Sequence, residues 1–270
     1  MANIKVDPVT LDIVKDSLLA ASNEVFYAFA RTAMSPIIYE TLDYASGITD
    51  ADGNLLTQGN GACGFIGMIA PLIKDVIAKH GKENMRAGDV FIINDPYMGG
   101  GTHISDVGMA MPIFYNDEII AFVGNKAHWT DIGGMAAGSF TTDSTEVFQE
   151  GLCFSALKLV DQGQICTQLL EFIKSNVRFP EVSEGDMWGQ IASLHTGFRR
   201  VNEICDKYDV EVVKESMKRL LDQGEIVARK RLKELPKGVW EMEEYMDDDG
   251  HGNPVKLKVK VTITDEEFFA

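Results

Sequence analysis

Residues 107–129 read VGMAMPIFY, then Asn116 and Asp117, then EIIAFVGNKAHW. Two runs of apolar, β-branched and aromatic residues flank a two-residue Asn-Asp turn, which predicts a long β-hairpin. Pro112 in the first arm cannot donate to a ladder, so that arm is expected to be an edge or to carry a bulge. Upstream, DVFIIND (residues 89–95) reads as a buried strand, followed by the turn-rich loop PYMGGG (96–101). Downstream, DIGGMAAGS (131–139) is a glycine-rich loop.

Helices are expected on either side. Asp7 caps and Pro8 opens a first helix, with apolar residues recurring from Leu11 to Phe29 and an end near Ala33. YASGITD and NLLTQG flank Ala51-Asp52-Gly53 as a second hairpin. A helix follows over 69–80, stopped by Gly81. The second half predicts helices over 167–177, from a Ser183/Asp186 capping box to about Tyr208, and over 212–235. VWEMEEYM, an acidic turn and the alternating KLKVKVTIT close the chain, as if it ended part-way through a further β region. The expected class is therefore α+β, rich in hairpins at the front and helical behind. The boundary is placed near residues 160–166, giving an α+β domain over 1–160 and a helical segment plus the start of a β region over 161–270.

A net charge of −16 lacks the clustered Lys and Arg that displace counterions from nucleic acid, and an anionic membrane surface repels it. Four cysteines without CxxC spacing signal neither a thiolate zinc cluster nor a disulfide framework, and fit the cytoplasm. The opening MANIKVDPVT lacks the layout of a secretion signal. PYMGGG lacks GxxxxGK[ST], so no ATP site is expected on this chain, and no Gly-x-Ser-x-Gly elbow supports a serine hydrolase.

His103, Asp106 and His128 carry the chemistry. If Asn116 and Asp117 form the turn, Ser105 faces His128, and His103 shares their face at a diagonal separation of about 7–8 Å. Asp106 then points away unless loop geometry, favoured by the preceding glycines, persists there. A bulge at Pro112 would shift this register by one. Two imidazoles and a carboxylate are the ligand set of catalytic Mn²⁺, Zn²⁺ or Fe²⁺ sites. Hydrogen-bonded loop histidines without a metal fit the same spacing. His80 reads as a helix C-terminal cap, His195 as a packing residue and His251 as solvated.

The stretches DPVTLDIV, FARTAMSPIIYETLDYASGITDADGNLLTQG, GDVFIINDPYMGGGTHISDVGMAMPIF, NKAHWTDIGGMAAGS, TEVFQEGL, NVRFPEVSEGDMWGQIA and YMDDDG run in order along the chain. Together they resemble the hydantoinase B family, which includes the B half of oxoprolinases and subunits of acetone and acetophenone carboxylases. The resemblance implies one divalent transition metal held by His103, Asp106 and His128, with Asp43 as an additional ligand. Arg31 and Glu40 share the segment of Asp43 and are candidates for contacting substrate or supporting a ligand. Asp131, three residues past His128, is a candidate to orient a ligand imidazole, or else to cap the glycine turn. The resemblance further implies a hetero-oligomer with an A-type subunit that binds and cleaves ATP. The substrate expected is a phosphate-activated cyclic amide that is hydrolysed. Carboxylation of a ketone with bicarbonate is the alternative, and a metal-free scaffold role a third. Typical B-type family members are considerably longer than this chain.

Overall fold

A computed structural model describes residues 6–98 and 101–270; Met1 to Lys5, and Gly99 and Gly100 of the PYMGGG loop, lie outside the described residues. Helix α1 (Pro8–Thr32) starts as expected: the Asp7 carboxylate accepts the Val9 and Thr10 N–H groups, and Pro8 occupies the first turn. A single turn, α2 (Pro36–Tyr39), leads into β1 (Tyr44–Asp50) and β2 (Leu55–Gly61). Helix α3 (Cys63–His80) begins six residues before its expected start and includes Pro71. Strands β3 (Val90–Ile93), β4 (Asp106–Tyr115), β5 (Glu118–His128), β6 (Leu157–Asp161) and β7 (Gln164–Ile165) follow. These seven strands form one antiparallel sheet in the order β2-β1-β5-β4-β3-β6-β7.

The long hairpin is therefore the centre of the sheet, and β4 is an interior strand, not an edge. Its turn is the expected one, with Asn116 and Asp117 both at positive φ (47° and 65°). The register slips by one between Ile113 and Phe114, beside Pro112. From there Asp106, not Ser105, stands opposite His128. Of the two registers the sequence allows, the hairpin adopts the bulged one.

Alternation sends the two sides of the hairpin to different helices. Ala110 and Phe122 join Ile69, Leu72, Ile73 and Val76 of α3 in one core. Gly108 lies on this side, and a Cβ there would sit 2.0 Å from Leu72 Cδ1, so the absent side chain lets α3 approach. On the other side, Ala127 packs with Phe26 and Phe29 of α1. Helices α4 (Thr167–Asn176) and α5 (Pro180–Tyr208) belong to the same body as the sheet. The Gln190 amide of α5 donates to Val107 O and Asn125 Oδ1, and Asn125 Nδ2 donates to Gln190 O, each at 3.0 Å.

The Ser183/Asp186 capping box expected from sequence is not formed. The helix opens instead at Pro180, after Phe179. Ser183 and Asp186 are both buried and bond to other segments: Ser183 Oγ to Asp131 O, and Asp186 Oδ1 to the Met34 and Ser35 N–H groups.

The compact units are Met1–Met217 and Lys218–Ala270. The division lies past the expected 160–166, because α4 and α5 share the body of the sheet. Helix α6 (Val210–Glu234) spans it. The second unit pairs β8 (Gly238–Met246) with β9 (Val255–Ile263), and β9 with the short β10 (Phe268–Phe269). One side of its β8–β9 ladder carries Glu241 and Glu243 against Lys256, Lys258 and Lys260. Among the described residues, no helix is long and apolar enough to cross a membrane.

Candidate metal centre

The end of the β4–β5 hairpin remote from its turn places three donor atoms together. His128 is the last residue of β5, and its N–H donates to Asp43 O at 3.1 Å. Asp106 is the first residue of β4, directly opposite. His103 precedes the strand in a tight turn, closed by the Asp106 N–H donating to His103 O at 3.0 Å. That turn is stapled from behind. Asn94, just after β3, donates its side-chain amide to Ile104 O and to Leu152 O, and accepts the Phe154 N–H.

His103 Nε2 and His128 Nδ1 lie 3.0 and 3.1 Å from Asp106 Oδ1, and 3.2 Å from each other. Thr102 Oγ1 donates to the other Asp106 oxygen. Asp106 is 2% exposed. Burial opposes its charge, but the hydrogen bonds from His103, His128 and Thr102 outweigh that and hold the carboxyl well below the usual range. The bond to Asp106 in turn raises the His103 pKa, against the opposing effect of burial.

Three lone-pair atoms this close repel one another unless a proton or a cation sits between them. Donors bound cis to one ion at about 2.1 Å are separated by about 3.0 Å, so the triangle fits a divalent cation. Nitrogen and carboxylate donors without thiolate suit Mn²⁺, Fe²⁺ or Zn²⁺. A cavity of about 390 Å³ adjoins His103, lined also by Tyr97, Thr102, Thr145, Glu146 and Glu150. A larger cavity of about 580 Å³ lies around Lys82 to Ala87 and Phe114 to Ile119, at the turn end of the hairpin and away from these donors.

The structure thus gathers His103, Asp106 and His128, and adds neither Asp43, Glu40 nor Asp131 to that group. The Asp43 backbone is adjacent, through the His128 N–H, but its carboxylate is not among the converging atoms. Arg31, in the last turn of α1, and Glu40, after α2, are exposed. Asp131 does not orient an imidazole. Fully buried, it accepts the Gly133, Gly138 and Arg178 N–H groups and pairs with the Arg178 guanidinium at 3.1 Å. Burial opposes its charge, yet these donors keep its carboxyl below the ordinary value. It is the cap of the glycine turn.

Lys126, Gln190, Asn94 and Thr102 do not stand out from sequence pattern. Lys126 leaves one signal: a lone lysine two residues before His128 in a mostly apolar strand. It is 1% exposed, and burial lowers its pKa to about 8 against the upward pull of Asp106.

A family model described as hydantoinase B/oxoprolinase matches residues 7–270. The chain belongs to the hydantoinase B/oxoprolinase family. The B-type subunit of a putative D-/L-hydantoinase from Pseudomonas sp. is 33% identical over 268 residues, covering 96% of this chain and 45% of that protein. The crystal structure of an ATP-dependent caprolactamase from Pseudomonas jessenii superposes with a TM-score of 0.89 at 30% identity, over 98% of this chain and 46% of that one. The nucleotide-free structure of an acetone carboxylase shares the fold, with a TM-score of 0.86 at 20% identity over 97% of this chain and 36% of that one. This hydantoinase B/oxoprolinase chain spans about half the length, or less, of these relatives.

Proposed function

We propose that this chain is the metal-bearing B-type part of an ATP-dependent enzyme that hydrolyses cyclic amides. The observation that carries it is the convergence of His103 Nε2, His128 Nδ1 and Asp106 Oδ1 within 3.2 Å of one another, in a chain of the hydantoinase B/oxoprolinase family. The names of its relatives, a D-/L-hydantoinase and an ATP-dependent caprolactamase, support ring amides as the substrate class.

His103, Asp106 and His128 would hold one divalent ion. The Asp43 carboxylate, on the residue whose carbonyl already holds the His128 N–H, would join them as a fourth donor. Such an ion supplies Lewis acidity toward a carbonyl or phosphoryl oxygen and acidifies bound water. Thr102 fixes the Asp106 carboxylate so that Oδ1 faces the imidazoles. An unactivated amide is a poor electrophile, which is why ATP is needed. We assign ATP binding to an A-type partner, because this chain carries no phosphate-loop motif. Arg31 and Glu40, both exposed, are left to the substrate or partner side. The four free cysteines fit the cytoplasm.

Elemental analysis of the purified chain tests the metal. About one equivalent is expected, and less than about a tenth of an equivalent sinks this function in favour of a scaffold. With an A-type partner, ATP turnover should then depend on a hydantoin, 5-oxoproline or a lactam. Turnover that requires bicarbonate and a ketone instead would make the complex a carboxylase.

A further inference from the structure

Asp186 on α5 is buried to 1% exposure, and its Oδ1 accepts the N–H groups of Met34 at 2.7 Å and Ser35 at 3.0 Å. Burying a carboxyl group is unfavourable unless it is hydrogen-bonded, and two backbone donors from another segment take this oxygen. Gly185, one residue earlier, permits the approach, because a Cβ there would collide with the Met34 side chain.

The segment that starts at Met34 ends at the metal centre. Ser35 O accepts the Ile38 and Tyr39 N–H groups of α2, Ile37 O accepts the Asp43 N–H, and Asp43 O accepts the His128 N–H. A four-residue turn such as α2 has no stability of its own, so its direction depends on what holds it. Its Ser35 makes no side-chain cap, and the start is held from α5 instead. Just before Asp43, Leu42 has a φ of 58°, a left-handed conformation that residues other than glycine rarely adopt. Such strain persists only where the surrounding structure fixes the chain. Downstream, Tyr44 pairs with Ala127 of β5. Upstream, Ile38 packs with Phe26 and Phe29, and Asp186 holds the first two residues.

We propose that Asp186 is a positioning residue of the metal centre: from α5 it pins the start of the 34–43 segment, and so sets where the Asp43 carboxylate stands against His103, Asp106 and His128. The inference rests on the metal assignment above, with Asp43 as the fourth donor. Asp186 bonds to the backbone of Met34 and Ser35 and acts on the centre through the chain. Asparagine in its place keeps an oxygen for the two N–H groups, whereas alanine leaves both without an acceptor.

The test uses the full chain as wild type, D186N and D186A. Zn²⁺ affinity is measured by competition with a chromophoric chelator, and the visible spectrum of the Co²⁺-loaded protein reports the donors around the ion. D186A should bind Zn²⁺ about tenfold more weakly and shift the Co²⁺ bands, while D186N follows wild type in both. In a D43A background, adding D186A should change Zn²⁺ affinity less than about twofold, since the donor it places is already gone. D186S replaces D186A in these titrations should D186A fail to fold. A D186A protein that melts at a lower temperature but matches wild type in Zn²⁺ affinity and Co²⁺ spectrum overturns the inference and leaves the metal assignment standing. A loss that persists undiminished in the D43A background also overturns it, because Asp186 then acts elsewhere. Absence of metal binding by wild type overturns both.

Discussion

Replacing Gln190 with leucine should loosen the attachment of α5 to the metal-bearing hairpin. The Gln190 side chain is fully buried and makes three bonds: it accepts the Trp129 indole N–H at 2.7 Å and donates to Val107 O and Asn125 Oδ1 at 3.0 Å. Leucine is of similar size but satisfies none of them. A buried hydrogen bond contributes about 1 kcal/mol net, and the partners stay buried, so the loss should be at least about 3 kcal/mol. For a body of this size that lowers the melting temperature by about 6–12 °C. Two of the three partners adjoin donor residues, Val107 beside Asp106 and Trp129 beside His128. Zn²⁺ affinity should therefore fall about tenfold as well. Thermal unfolding gives the first number and chelator competition the second. Trp129 is fully buried whereas Trp188 and Trp240 are 42% and 45% exposed, so a red shift of the emission reports the loosened site directly. A melting temperature within about 3 °C of wild type refutes the clamp. A large drop with unchanged Zn²⁺ affinity refutes its role in placing the donors.

Thr102→Val removes the donor to the second oxygen of Asp106 and should cost about tenfold in metal affinity with little change in stability, measured by the same competition. Gly133→Ala should destabilise by more than about 1 kcal/mol in chemical denaturation, because φ is +89° and the new Cβ would lie 2.6 Å from Asn176 O. Burial raises the Asp186 pKa above its ordinary 3.8, so the folded protein keeps a proton that the unfolded chain has released. The resulting penalty is absent below about pH 3.8 and develops as pH rises through the raised value. The stability of Asp186→Asn relative to wild type should therefore climb across that window and then level off; a pH-independent difference between the two denaturation series would contradict this.

Element identity is legible wherever a local signal is strong. Asp7-Pro8 and Asn116-Asp117 determine their structure through contacts a few residues away, and the alternation of KLKVKVTIT marks a strand before its partner β8 is known. What escapes the sequence is long-range. Ser183 and Asp186 have the spacing of a capping box, but tertiary partners at Asp131, Met34 and Ser35 take their side chains. The same competition decides Asp131, whose proximity to His128 in sequence suggests an imidazole partner while Arg178, 47 residues away, and the glycine turn claim both oxygens. The donor triad is legible as residues but not as geometry. Register counted from the turn aligns Ser105 with His128, and only the slip at Ile113–Phe114 brings Asp106 there. Lys126 is inconspicuous because burial of a lysine cannot be read from an apolar strand that contains it.

That slip makes the centre a matter of phase. The extra residue, Ile120, lies on β5, so the two arms are matched at the donor end only because they differ in length by one between there and the turn. Deleting Ile120 would remove the surplus and leave Asp106 facing His128 across a regular ladder. Deleting Phe114 from β4 would instead draw that strand one step toward the turn, bring Ser105 opposite His128 and rotate Asp106 toward α5, with every donor still present in the chain. Two deletions of similar apolar residues, side by side and nearly the full length of the hairpin from the donors, would thus have opposite consequences for them.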